Sequence, residues 1–254
     1  MTPAADARTT SSAGAQRPSD AVVLGAAYGQ TKLDGSFGAD AGSFRTREQV
    51  VSLFGALRMG GFYGTGIVSI ADIDFRNVHR NIVLGPMVRT ASASPSGSNA
   101  SAFFNAGYDF TLGRVRVGPT VSVTSQSVDV DAFDESGAGS ADLHIAGQSR
   151  RSEVWSAGVR ASMDLNGWTP WLRVTSDRER HDDARYVTAS PLSLATGNSY
   201  DILAYAPDTS FTTAAIGVNG WIGRRVALGL AYFKVSGRSG IKEDGVSGTL
   251  SYKF

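Results

Sequence analysis

Val246-Ser247-Gly248-Thr249-Leu250-Ser251-Tyr252-Lys253-Phe254 closes the sequence and decides how the rest of it is read. Val246, Gly248, Leu250, Tyr252 and Phe254 fall on one side of an extended strand; Ser247, Thr249, Ser251 and Lys253 fall on the other. Side chains alternate across a strand with a period of two, so this strand has one apolar and one polar face. A membrane β-barrel needs that pattern, because its outside meets lipid and its lumen meets water.

The same alternation runs through the chain. Val115, Val117, Pro119, Val121 and Val123 alternate with Arg114, Arg116, Gly118, Thr120, Ser122 and Thr124. Trp155, Ala157, Val159, Ala161 and Met163 alternate with Ser156, Gly158, Arg160 and Ser162. Val226, Leu228, Leu230 and Tyr232 behave likewise, as do Ala214, Ile216, Val218 and Ile222. A small soluble barrel fills its interior with apolar side chains. Arginines at mid-strand predict a polar lumen instead.

Composition narrows the function classes. Lys plus Arg total 24 against 23 for Asp plus Glu, a near-neutral balance without the basic excess of a nucleic-acid binder. No run approaches the eighteen or so apolar residues of a transmembrane helix. Cysteine is absent, which excludes disulfides and thiolate metal sites and suits passage through an oxidising periplasm. No cofactor is expected.

Short and long connections alternate. Met59-Gly60-Gly61, Leu112-Gly113-Arg114, Asn166-Gly167 and Gly223-Arg224 read as tight turns. Long polar stretches cover 32–43, 73–99, 131–143, 181–208 and 237–243. This parity is that of an outer-membrane barrel, with short periplasmic turns and long outer loops. Residues 81–89 also read as a strand; parity makes them part of a hairpin standing above the membrane rather than a further crossing. The expectation is an all-β antiparallel transmembrane barrel. Its ten spanning strands cover 21–31, 44–58, 61–72, 100–112, 114–130, 144–163, 167–180, 209–222, 224–236 and 244–254.

Residues 1–20, rich in Ala, Ser and Thr, are expected to be a flexible segment before a barrel domain over 21–254. They hold no apolar core of about seven residues and are no secretory signal peptide. Since a barrel of this kind must be exported, the chain is expected to be a fragment of a longer precursor.

Several stretches resemble the translocator barrels of monomeric autotransporters, above all those that carry GDSL-type esterase passengers. They are Leu112-Gly113-Arg114-Val115-Arg116-Val117-Gly118-Pro119, Val128-Asp129-Val130-Asp131-Ala132-Phe133-Asp134-Glu135, Arg185-Tyr186-Val187-Thr188-Ala189, Tyr205-Ala206-Pro207-Asp208 and the terminal Leu250-Ser251-Tyr252-Lys253-Phe254. The resemblance implies a barrel of about twelve strands whose lumen holds a linker, with a passenger exported by way of the barrel-assembly machinery. Lipid and lipopolysaccharide would be its surroundings. Pro18-Ser19-Asp20-Ala21-Val22-Val23-Leu24-Gly25 resembles the turn and strand after the family's first hairpin, so the first strand pair, linker and passenger are expected to be missing. No Gly-Asp-Ser-Leu block is present, and Asp34-Gly35-Ser36-Phe37 is only superficially similar. The esterase chemistry of such relatives is therefore not carried over.

Two residue sets are candidates for function. Gly248, Leu250, Tyr252 and Phe254 resemble the terminal signal that the assembly machinery reads, or simply contact lipid. Arg58, Arg114, Arg116, Arg160 and Arg173 fall on the polar phase, where they would hold a threaded linker or pair with neighbouring acids such as Asp109 and Asp164.

The outer loops carry His79, His144 and His181, one acidic rim of Asp129, Asp131, Asp134 and Glu135, and another of Asp177, Glu179, Asp182 and Asp183. Asp–His pairs at such a rim would suit an omptin-like protease, by general-base activation of water. A Ser–His–acid set would suit a phospholipase. Nothing in the sequence fixes the mutual geometry either needs. No histidine pair has ligand spacing for a metal, and solvated loops explain the same charges. A passive porin-like or adhesin-like barrel is the remaining alternative.

Overall fold

The alternating segments pair edge to edge in a computed structural model that describes residues 4–194, 198–205, 208–223, 225–239 and 242–253. In chain order the strands are β1 (Ala4–Ser19), β2 (Val22–Phe37), β3 (Gly42–Met59), β4 (Phe62–Leu84), β5 (Met87–Ala93), β6 (Ser96–Tyr108), β7 (Phe110–Leu112) and β8 (Val115–Val130). They continue with β9 (Phe133–Asp134), β10 (Leu143–Ile145), β11 (Gln148–Met163), β12 (Trp168–Glu179), β13 (Arg185–Pro191), β14 (Tyr200–Tyr205), β15 (Ser210–Ile222), β16 (Val226–Ser236) and β17 (Glu243–Tyr252).

One curled antiparallel sheet takes the path β1-β2-β3-β4-β6-β8-β11-β12-β15-β16-β17. All ten expected spanning strands are in it, and β1 adds an eleventh. The expected flexible segment over 1–20 is thus corrected: Ala4–Ser19 forms a strand whose ladder follows β2 from Ala4↔Ser36 to Ser19↔Val22. Sequence alternation missed it for a physical reason. Its outer-facing positions are Thr10, Ser12, Gly14 and Gln16, so backbone pairing rather than an apolar face holds it. β1 and β17 form the two edges and, in an antiparallel series of eleven, run in the same direction. An antiparallel ring needs an even number of strands.

The tight turns fall where the glycines ask for them. Asn166 (φ 53) and Gly167 (φ 98) join β11 to β12 with two positive-φ residues, the geometry of a type I′ hairpin. Gly113 (φ 64) turns β7 into β8. Other glycines serve space instead. Phe54 faces Gly25, Tyr63 faces Gly107, Phe104 faces Gly66, Trp171 faces Gly217 and Phe233 faces Gly245, each pair directly opposed across two strands. A Cβ on Gly217 would sit 2.6 Å from the Trp171 ring, and one on Gly25 2.3 Å from Phe54. Each ring lies over its glycine, covering backbone that would otherwise be bare.

The long stretches are more ordered than loops. β2 and β3 continue through 32–43 as a hairpin, and β4 extends to Leu84, where it pairs with β5 as the reading of 81–89 anticipates. The 131–143 and 181–208 stretches meet as a second, four-stranded sheet of order β14-β13-β10-β9. This outer cap holds the apolar cluster Leu143, Ile145 and Ala189, packed by Phe133 and Val187. Polar strands of this kind carry no period-two signature, because neither face is wholly apolar.

Candidate functional site

Cross-strand register divides the large sheet into two faces. Leu24, Leu53, Val68, Ile70, Phe104, Val121, Trp155, Val159, Leu172, Ile216, Leu230 and Leu250 lie on one of them and are exposed, Ile70 at 68% and Leu250 at 74%. Monomeric soluble proteins rarely expose an apolar patch beyond a few hundred Å². Near the short turns this face carries rings in contact: Phe62 on Tyr108 at 4.7 Å and Tyr108 on Phe110 at 4.8 Å between centroids. Membrane barrels place aromatic girdles at such a boundary.

The opposite face is polar, and its best-built feature centres on Asp109. The residue interrupts the chain between β6 and β7, held by its N–H donating to the Gly61 carbonyl at 2.8 Å. Its carboxylate is only 3% exposed. It accepts from Arg58 Nη2 at 2.7 Å, from Arg160 Nε at 2.9 Å and from Arg160 Nη2 at 2.5 Å. The Arg160 guanidinium also stacks 3.3 Å from the centroid of the Tyr63 ring. Tyr63 is buried, and its hydroxyl, lying over Gly107, has no hydrogen-bond partner. One strand on, Thr120 is buried at 2% and accepts from Asn105 Nδ2 at 2.8 Å.

Of the arginines singled out in the sequence, Arg58 and Arg160 are thus brought together by one acid from a third strand. Arg173 is the direct cross-strand neighbour of Arg160, and Arg116 pairs with Ser162, two residues away on the same strand. Arg114 sits in the turn before β8 and lines a hollow with Arg58, Arg116, Asp164 and Asn166. The alternation placed these arginines on a common face, and Asp109 was named as a candidate partner. The stacking of Tyr63 was not legible, since a tyrosine beside a glycine turn looks like any interfacial ring.

The outer acids turn out to hold backbone. Glu179, buried at 6%, accepts from the N–H groups of Glu153 (2.8 Å), Arg180 (3.0 Å) and His181 (3.0 Å) and from the Ser152 hydroxyl. Asp177 accepts from Thr213 Oγ1 at 2.6 Å. Glu135 takes a two-point ion pair from Arg80 and the Leu143 N–H at 3.1 Å, while Arg80 also donates to the Ala141 carbonyl at 2.9 Å. Hydrogen bonding to Glu135 raises the Arg80 pKa, against the opposing effect of burial. These contacts fasten the cap to the β4–β5 hairpin. His144 Nδ1 lies 2.6 Å from Asp134 on the exposed side of the cap, and His79 Nδ1 lies 3.0 Å from Ser92. Among the described residues no group of three His, Asp or Glu side chains has metal-binding geometry.

Gly248, Leu250 and Tyr252 lie on the apolar face of β17, opposite Leu230, Leu228 and Val226. Leu250 is among the most exposed side chains there, and a Cβ on Gly248 would meet nothing within 4 Å. Phe254 falls outside the described residues, as does Arg224.

Over residues 5–232 the sequence matches the autotransporter β-domain family. The chain is an autotransporter β-domain. Among curated proteins it is similar to Lipase 1 of Photorhabdus luminescens, at 26% identity over 79% of this chain and 31% of that protein. It is also similar to esterase EstA of Pseudomonas aeruginosa, at 24% over 80% of the chain and 32% of that protein. The β-domain thus spans about a third of the length of these relatives. Its fold is that of the translocator domain of the autotransporter NalP from Neisseria meningitidis, with a TM-score of 0.80 at 14% identity, covering 99% of this chain and 82% of that one. The β-domain of the Bordetella autotransporter BrkA follows at a TM-score of 0.65 and 15% identity, covering 99% and 91%.

Proposed function

We propose that this β-domain sits in the bacterial outer membrane, with its cap at the cell surface, and carries an upstream passenger across. The single observation that carries this reading is the two-faced sheet: an exposed apolar face with rings near the short turns, backed by a charged face. That arrangement is stable only with lipid on one side and water on the other. Family membership supports the same reading. The passenger's activity belongs to sequence outside this span, and the names of the curated relatives point to a lipase or esterase.

The barrel itself does no bond chemistry. Asp134–His144 and His79–Ser92 are pairs on a solvated rim, and among the described residues neither is completed by the third group and the oxyanion donors that acyl transfer requires. Gly248, Leu250 and Tyr252 of β17, with the terminal Phe254, are the residues that the assembly machinery reads. Lipopolysaccharide surrounds the outer rim, where Arg and acid side chains alternate.

An epitope tag fused ahead of residue 1, behind an export signal, tests the reading. Protease added to intact cells should remove the tag. A barrel that assembles while its tag stays protected would contradict the translocator role. Ester hydrolysis by the chain, lost on His144→Ala or on His181→Ala with Asp183→Ala, would contradict the absence of chemistry.

A further inference from the structure

The charges on the polar face are not evenly spread along the strands. Arg58 stands next to the end of β3, Arg116 is the second residue of β8, Arg160 lies close to the end of β11, and Arg173 occupies the half of β12 nearer its short turn. Arg58, Arg116 and Arg160 are at or near the short turns, while Arg173 stands at mid-strand, where it lines a hollow with Asp177 and Glu243. Against these and Arg114 stand two carboxylates: Asp109, already engaged by Arg58 and Arg160, and Asp164, which lines the hollow at the turn with Arg58, Arg114 and Arg116. The acids of this face gather at the other end: Glu48, Asp177, Glu179 and Glu243 all lie toward the outer ends of their strands. The side chains of Arg116 and Arg173 make no hydrogen bond or ion pair with any described residue. Arg173 is set directly across from Arg160, like charge against like, an arrangement that costs stability unless something between them is negative.

We propose that these arginines form an anion-binding collar at the short-turn mouth of the lumen, with Arg116 and Arg173 as its free cations, so that the open barrel passes anions in preference to cations. The inference rests on the membrane-barrel reading above, and its ligand class is small inorganic anions. Rings of Arg or Lys select anions in pores, because the guanidinium hydrogen-bond donors substitute for the hydration shell as the ion enters. A water-filled cleft of one charge sign between low-dielectric walls also concentrates counter-ions. Salt screens the effect, over about 10 Å at 0.1 M and about 3 Å at 1 M.

Trp171 provides an internal reporter. It lies on the same face, two residues before Arg173 and so about 7 Å from it along the strand, and it shares its cross-strand row with Ser162 and Arg116. The full chain, refolded in detergent, is titrated with iodide and separately with caesium, and tryptophan fluorescence is followed. Iodide is expected to quench several-fold more effectively than caesium. The difference should shrink in Trp171→Phe, vanish when Trp221, on the same face at the turn before β16, is also replaced by Phe, and shrink in the double variant Arg116→Gln/Arg173→Gln. Equal quenching by the two ions, or an iodide preference unchanged in the double variant, overturns the collar.

The same protein, refolded with a synthetic strand peptide that completes an even ring, is placed in planar bilayers under a tenfold KCl gradient. The reversal potential should have the sign of chloride selectivity, decline toward zero in the double variant, and weaken in molar salt. A cation-selective pore overturns the collar while leaving the barrel intact. A folded protein that never conducts overturns the passage of anions through the lumen, even where the iodide preference is kept.

Discussion

Asp109 carries more of the interior than any other side chain, because two arginines from different strands depend on it. Burial makes the carboxylate expensive to leave unpaired, and three charge-assisted hydrogen bonds offset that cost. Asp109→Asn would leave Arg58 and Arg160 facing each other with a neutral amide between them. The variant should lose about 2–3 kcal/mol of stability, read as a lower denaturant midpoint in detergent. Arg58→Gln should cost less, since Arg160 keeps its two-point contact. A midpoint unchanged in Asp109→Asn would show that lumen water satisfies both arginines equally well. Glu179 has a parallel task at the outer end of β12, where one carboxylate gathers three backbone N–H groups and fixes how the chain leaves the strand.

Among elements, the outer cap and the terminal strand make separate predictions. The cap hangs on Arg80 and Glu135, so Glu135→Gln should release it while the large sheet stays whole. Limited proteolysis would then cut within 131–147 and 181–208 several-fold faster, with the heat-modifiable migration of the barrel retained. Loss of the barrel together with the cap would contradict their independence. In β17, Leu250→Asp puts a charge on the exposed apolar face near the short-turn end, at a cost of about 1 kcal/mol, below the ~2–4 kcal/mol of basic residues at mid-bilayer. The amount of assembled barrel in the outer membrane should fall sharply, with degradation in the periplasm. Leu250→Val should assemble normally.

The elements also show what the sequence could and could not tell. Every strand with an apolar outer face was legible, since Trp155, Val159 and Met163, or Leu228, Leu230 and Tyr232, state their side of the sheet outright. β1 was not, because Thr10, Ser12 and Gln16 stand where lipid-facing side chains belong. The cap was not, because Phe133, Leu143, Ile145 and Val187 pack across residues far apart in sequence. Arg58 and Arg160 were legible as lumen residues through strand parity. Their meeting on Asp109 depends on register across β3, β4, β6, β8 and β11, which local patterns do not determine.

For the whole molecule, lipid does the work that a packed interior does elsewhere. A continuous band of exposed apolar side chains faces outward, while the inner face carries arginines, serines, threonines and glycines, with single rings such as Tyr63 and Trp171 among them. The parity of β1 and β17 fits this design into a constraint: eleven strands can close as an antiparallel ring only with one more strand between the edges. Refolding the chain with a synthetic strand peptide added in trans should therefore raise the yield of compact, heat-modifiable monomer. No change in yield would mean that the two edges are satisfied in another way.

The orientation of the barrel is the most direct test of the account. The chain has no cysteine, so single cysteines report without background. Ser193→Cys marks the cap and Asp164→Cys marks a short turn; both positions are exposed. A membrane-impermeant maleimide applied to intact cells should label the cap cysteine and spare the turn cysteine, which reacts only after the outer membrane is breached. Labelling of the turn with protection of the cap, or equal labelling of both in intact cells, would contradict an outer-membrane barrel that presents its cap to the surface.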